Sequence, residues 1–184
     1  GISNIRFTIP LIIASILGSA CGAGVALHLS DITFKWILIG VMVSVMTINI
    51  INPITSYSRE ERASGTYYYV TTIVFFFIGI YGGIIQAGVG YLSMAATTLI
   101  NRFDLVKTNN IKVTVALFYS LTSVVVFMWN DYILIKEGLV LGAGTAFGAW
   151  IAARFSIAKG HLWVRRAVLG IMGILLLTLL FDFY

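Results

Sequence analysis

Charge is what this sequence has least of. Only 10% of its 184 residues are Asp, Glu, Lys or Arg, against about 25% in ordinary soluble domains. The seven acids are Asp31, Glu60, Glu61, Asp104, Asp131, Glu137 and Asp182, and none lies near the centre of an apolar stretch. This argues against a buried carboxylate relay of the kind that many proton-coupled carriers use. The single cysteine, Cys21, excludes an intrachain disulfide, offers no metal-ligand spacing, and is expected to pack as a small residue. His28 and His161 fall near the ends of apolar stretches, as interfacial groups do. No nucleophile with its base and no metal constellation can be read inside those stretches, so neither an enzyme nor a cofactor is expected. The chain starts at Gly1 with no initiating Met, signal-peptide pattern or cleavage site, as at a processing boundary.

Apolar residues are what is there, at 59% of the chain and a mean hydropathy of +0.98. Such a composition defines an integral membrane protein, and the lipid bilayer is its first partner. The net charge of +5 then reads as topology, not as nucleic-acid binding. Apolar runs predict a span over 7–29, with Pro10 in its first turns, and another over 34–51 with Trp36 at the interface. Gly18 and Gly22 form a small face on which a neighbouring helix can approach closely. Pro53 ends the second span, and 53–66 is a short polar loop containing Arg59, Glu60, Glu61 and Arg62. Further spans are predicted over 113–129, 138–155 and 167–181, with a loop over 102–112.

Between them lies an uncharged run from 66 to 101. As one helix it would be roughly 54 Å long, well beyond a hydrocarbon core of about 30 Å. In its middle stands Tyr81-Gly-Gly-Ile-Ile-Gln-Ala-Gly-Val-Gly-Tyr91, with four glycines that each cost a helix interior about 1 kcal/mol. We therefore expect two short segments, 67–81 and 87–100, folded as a hairpin around the glycines. Charge counting agrees. With a hairpin, ten basic residues (Arg6, Arg59, Arg62, Arg102, Lys107, Lys112, Arg154, Lys159, Arg165 and Arg166) share one side and only Lys35 and Lys136 the other. A single crossing would divide them four against eight. The positive-inside rule prefers the first arrangement, with the Arg59 loop in the cytoplasm.

A second pattern is internal. Gly18-Ser-Ala-Cys-Gly22-Ala23 matches Gly144-Thr-Ala-Phe-Gly148-Ala149, and Val25-Ala-Leu-His-Leu-Ser30 matches Ile151-Ala-Ala-Arg-Phe-Ser156. Gly40-Val-Met42 later meets Gly170-Ile-Met172. Under the hairpin topology the two copies run in opposite senses, the inverted-repeat construction of many transporters, which bind substrate near the midplane at broken helices. The expected fold class is thus all-α: a polytopic helical bundle with inverted repeats and a glycine-broken hairpin. Residues 1–52 would close the first repeat, 53–66 form a cytoplasmic loop, and 67–184 make the second repeat.

These residues carry a resemblance. The run from Tyr81 to Gly90, then Asp104-Leu-Val-Lys-Thr-Asn-Asn-Ile-Lys112, then Gly144-Thr-Ala-Phe-Gly148-Ala-Trp-Ile-Ala-Ala-Arg154 resembles the C-terminal half of the sulfite exporter TauE/SafE family. The stretch 9–43 looks like the third and fourth helices of that family's first half. The family usually carries another glycine-rich motif in its first segment, and the resemblance implies that this chain lacks that quarter. Gln86 stands where many members have a small residue. The resemblance implies a multi-pass protein of the cytoplasmic (inner) membrane that moves small sulfur-containing anions such as sulfite, sulfonates or thiosulfate, as a homo-oligomer or together with the missing segment.

For a small oxyanion the glycine run offers a mechanism, because helix N-termini at a chain break present directed N–H groups and a favourable dipole. The candidate site is the backbone around Gly82, Gly83, Gly88 and Gly90, with Gln86 as a side-chain donor and Tyr81 lining the path. Individually the same glycines would also serve close helix packing, and Gln86 a helix–helix hydrogen bond. The hydroxyls of Tyr119, Ser120, Thr122 and Ser123 are expected to pack or bond back to their own helix. Arg154, Arg165 and Arg166 read as topology determinants. The alternative to a transporter is a structural or assembly subunit of a membrane complex, which would need no polar break.

Overall fold

The computed structural model describes residues 5–51, 61–159 and, further on, 170, 171, 173, 174, 176 and 178. Most of the expected span over 167–181 and most of the loop over 53–66, with Pro53, Arg59 and Glu60, lie outside the described residues, as do His161, Arg165 and Arg166. Six helices follow in order: α1 (Ile5–Ala26), α2 (Asp31–Ile51), α3 (Thr66–Ile84), α4 (Val89–Asn101), α5 (Leu105–Trp129) and α6 (Ile135–Lys159). Among the described residues there is no strand. Three of the helices, at Arg6–Ala26, Thr66–Ile84 and Leu105–Trp129, are long and apolar enough to cross a membrane. The chain is a helical, multi-pass membrane bundle. It divides into two compact units, Gly1–Asn130 and Asp131–Tyr184. The first holds α1 to α5, and the second contains α6.

In the first unit α1 packs most extensively on α3 and then on α5. The small face seen in the sequence is why. A Cβ on Gly18 would lie 2.1 Å from the carbonyl oxygen of Phe76, and one on Gly22 only 2.0 Å from that of Ile80. From the other side, a Cβ on Gly79 would meet the oxygen of Ser15 at 2.5 Å, and one on Gly83 that of Ser19 at 2.3 Å. Two glycine pairs spaced by four thus bring backbone against backbone, the form of contact that works between helices in lipid, where apolar side chains gain little from meeting one another. Serines fill the rest of the seam. Ser15 Oγ donates to the carbonyl of Phe75 at 3.2 Å, Ser19 Oγ lies 2.7 Å from Ser123 Oγ, and Ser19 Oγ donates to the carbonyl of Tyr119 at 2.8 Å. Three helices are thereby joined through one stripe of α1.

The long uncharged run is two helices, as the glycine argument requires, and α4 turns back along α3. Asn101, fully buried at the end of α4, closes the hairpin. Its Nδ2 donates to the carbonyl of Arg62 at 2.8 Å, its Oδ1 accepts from Thr71 Oγ1 at 2.9 Å, and its own carbonyl accepts from the Arg62 N–H at 2.8 Å. The chain therefore enters and leaves the pair at the same end. That end gathers aromatic and charged groups: Phe7 meets Tyr68 and Phe103 edge to face, and Lys107 Nζ lies 2.6 Å from Glu61 Oε2.

Several boundaries differ from the sequence expectation: α3 runs on to Ile84, α2 and α6 each start three residues earlier, and the largest shift is at the start of α5. Residues 102–112 are not a loop, because Asp104 caps α5 by accepting the N–H groups of Val106 and Lys107 at 2.8 and 2.9 Å. An Asp side chain satisfying two otherwise orphaned donors begins the helix at Leu105. The connection shrinks to Arg102, Phe103 and Asp104, and Lys112 becomes a helical residue two turns inside α5.

The α1–α3 contact leaves no room for a side chain. Gly22→Leu should lower the thermal midpoint of the detergent-solubilised protein by an amount equivalent to about 2–3 kcal/mol, as overpacking does. Gly24→Leu, with open space around it, should leave the midpoint unchanged.

Candidate functional site

The break is four residues long, 85–88, and its conformation follows from three hydrogen bonds and two left-handed residues. Ile85 N–H still bonds to the Tyr81 carbonyl at 3.1 Å, which ends α3. Ala87 N–H then bonds to the Ile85 carbonyl at 2.7 Å across Gln86, whose φ is +61°. A γ-turn with a left-handed central residue is a rare and strained conformation. Gly88, at φ +76°, is the N-cap of α4, where only glycine adopts such a dihedral without penalty. The Tyr81 hydroxyl reaches across and donates to the Ala87 carbonyl, tying the last turn of α3 to the loop. Gln86 itself is exposed at the turn.

No side chain caps α4. Of its first three N–H groups, those of Val89 and Tyr91 bond to the carbonyls of Gln86 and Gly88 at 3.4 and 2.9 Å. Its 13 residues raise the break roughly 20 Å above Asn101 at about 1.5 Å per residue. That is short of the roughly 30 Å of a full hydrocarbon crossing.

The six residues singled out in the sequence divide in two. Tyr81, Gln86, Gly88 and Gly90 surround the break. Gly82 and Gly83 lie in the last turn of α3, where N–H groups bond four residues back within the helix. The absent side chains of these two admit neighbours. A Cβ on Gly82 would lie 3.1 Å from the Tyr119 ring and 3.4 Å from Val89, and Gly83 belongs to the α1 contact. At the break, then, α3 presents carbonyls and α4 presents N–H groups, so the side suited to an anion is α4's.

The α5 hydroxyls behave as the sequence suggested. Thr122 and Ser120 bond back to the carbonyls of Phe118 and Leu117 at 3.0 and 3.1 Å, and Ser123 joins the α1 seam. Tyr119 is buried with its ring on Gly82, within electrostatic reach of the Tyr81 phenol. The residue that sequence reasoning passed over is Lys112. Its side chain lies along Gly90, so that a Cβ there would stand 3.3 Å from Lys112 Cδ and 4.0 Å from Cε. The signal that exposes it is the Asp104 cap, which turns a supposed loop lysine into one on a membrane helix. No group of three or more His, Cys, Asp or Glu able to hold a metal occurs among the described residues.

A short helix folded back at a glycine-rich break beside helices long enough to span a bilayer is a construction that membrane transporters use. The chain belongs to the sulfite exporter TauE/SafE family, which it matches over residues 1–179. Over 181 residues it is 26% identical to a probable membrane transporter protein of Haemophilus influenzae, a match that covers 97% of this chain and 70% of that protein. No solved structure matches it.

The strain at the break makes a direct prediction. Gly88→Ala should destabilise the protein by about 1–2 kcal/mol, because a Cβ opposes the left-handed conformation. Gly88→Asn should recover much of that loss, and thermal unfolding of the two variants in detergent measures the difference.

Proposed function

We propose that this transporter moves small sulfur-containing anions, of the sulfite, organosulfonate or thiosulfate type, across the cytoplasmic membrane. The anion binds at the break between α3 and α4, surrounded by Tyr81, Gln86, Gly88 and Gly90, with Gly82 and Gly83 shaping the turn that precedes it. The observation that carries this reading is the N-terminus of α4 at the glycine break, which no side chain caps. Such a terminus carries the partial positive charge of the helix dipole, which favours an anion.

The family supports the chemical class of the cargo. The end bearing Arg62, Arg102 and Lys107 is the cytoplasmic one under the positive-inside rule, and the break is then reached from the opposite side or by movement of α4. The match of residues 18–30 to residues 144–156 completes the reading as an inverted repeat, with 1–52 and 67–184 as its two parts.

Proteoliposomes loaded in turn with sulfite, thiosulfate, a sulfonate and sulfate should show protein-dependent efflux of at least one of the first three. A flat response across the panel would overturn the proposal. Gly90→Val is the cleaner variant, because only the flexible Lys112 side chain lies against Gly90, whereas Gly83→Leu would also disturb the α1 contact. It should cut transport at least tenfold with an unchanged thermal midpoint.

A further inference from the structure

At the end of the first unit where the α3–α4 hairpin opens, positive charge exceeds negative and the carboxylates are already engaged. Among the described residues that end carries Arg6, Arg62, Arg102 and Lys107 against Glu61 and Asp104. Glu61 is taken by Lys107 at 2.6 Å, and Asp104 uses its Oδ1 to begin α5. No described residue pairs with Arg6, Arg62 or Arg102 through a carboxylate.

The backbone brings these arginines to one place. The Asn101 carbonyl, part of the peptide that leads into Arg102, accepts the Arg62 N–H at 2.8 Å, so Arg62 and Arg102 leave adjoining stretches of chain. Arg6 precedes Phe7, whose ring meets those of Tyr68 and Phe103. The guanidinium of Arg62 lies 4.4 Å from the centre of the Tyr67 ring. Such a stack holds the guanidinium in place without using its N–H donors, and no described residue accepts from them. Arg102 is the C-cap of α4 at φ +57°, a left-handed position that glycine or asparagine ordinarily fills and where a larger side chain has a cost. An arginine is thus kept where glycine would sit more easily, and nothing described in the protein uses its charge.

Beside these cations an apolar strip descends α3. Tyr69, Val70, Ile73 and Phe77 are all exposed, and at 3.6 residues per turn they fall on one face of the helix. The strip is about 12 Å long at 1.5 Å per residue, with the exposed Tyr67 at its head. Tyrosines at the first turn of a span are at headgroup level. Cations without partners, then tyrosines, then an apolar strip follow the order of a phospholipid from phosphate to acyl chain. A soluble anion would match the arginines alone.

We propose that this end of the first unit is a binding site for an anionic phospholipid. The phosphate rests on Arg62 and Arg102, and an acyl chain lies along Tyr69, Val70, Ile73 and Phe77. Arg6 adds attraction for net negative charge, which a zwitterionic headgroup offsets with its own ammonium. The lipid site is separate from the break and stands whatever anion the break carries.

Native mass spectrometry of the full chain in detergent, titrated with dioleoyl phosphatidylglycerol or dioleoyl phosphatidylcholine, tests this. The wild type should hold phosphatidylglycerol about tenfold more tightly than phosphatidylcholine. Arg62→Gln combined with Arg102→Gln should bring the two lipids within about twofold of each other, and Tyr67→Leu should weaken phosphatidylglycerol about threefold. Lys136→Gln, in the second unit, should change neither. Arg102→Gly should weaken phosphatidylglycerol yet raise the thermal midpoint in lipid-free detergent, a separation that a merely structural arginine would not give. Equal retention of the two lipids by the wild type overturns the inference, as does an unchanged preference in the double variant. Displacement of phosphatidylglycerol by an equal concentration of inorganic phosphate would reveal a site for the anion alone and overturns it too.

Discussion

The backbone contact between α1 and α3 is the constraint on which the rest of this structure depends. In lipid, burying leucine against leucine gains little, so helices hold together where their backbones can come close and their few polar groups can meet. Gly18 and Gly22 on one helix, with Gly79 and Gly83 on the other, provide that approach, and Ser15 and Ser19 add hydrogen bonds where the backbones nearly touch. The contact runs up to Gly83, one residue before α3 ends. The last regular turn before the break is therefore its most firmly held part. A chain can leave helical geometry deep in a membrane only if the helix before the departure is fixed and the backbone beyond it is quickly satisfied. The bonds from Ile85 to Tyr81, from Ala87 to Ile85 and from Tyr81 to Ala87 meet the second condition within four residues.

The glycine-rich run consequently has two physical roles that its sequence presents as one. Gly79 and Gly83 are small because another backbone lies against them, and Gly82 because an aromatic ring does. Gly88 is glycine for its dihedral. Gly90 differs from both, since its neighbour is the movable end of a lysine. Substitution at these positions should therefore separate folding from function in opposite proportions, heavily on folding at Gly79 and Gly83 and heavily on function at Gly90.

How far this was legible in the sequence depends on the kind of signal each feature leaves. The break was legible, because a 66–101 run without charge has a length that the bilayer forbids to one helix. Same-side return of the hairpin was legible from basic residues, and Asn101 pairing with Arg62 and Thr71 gives it a structural cause. The start of α5 was not, because Lys107, Asn109, Asn110 and Lys112 read as a polar loop until the capping role of Asp104 is seen. The partition of the glycines was not legible either. Close approach and chain reversal both select for the absence of a side chain, and only the neighbours tell them apart.

The asymmetry of the break decides what it can hold. α3 arrives with its carbonyl end and α4 departs with its N–H end, so the two dipoles favour charges of opposite sign on the two sides of one short loop. A cation would be drawn to the α3 side, yet Tyr81, the side chain that α3 offers there, spends its hydroxyl on the Ala87 carbonyl. On the α4 side no side chain caps the helix, although the carbonyls of Gln86 and Gly88 accept from the N–H groups of Val89 and Tyr91, so what the α4 end offers an anion is chiefly its dipole. Under the proposed function, selectivity among anions would come from size and hydrogen-bond geometry, because a helix dipole attracts sulfite, thiosulfate and sulfate alike. The groups at the break that yield least are the Tyr119 ring seated on Gly82 and the turn at Gln86 with its left-handed φ.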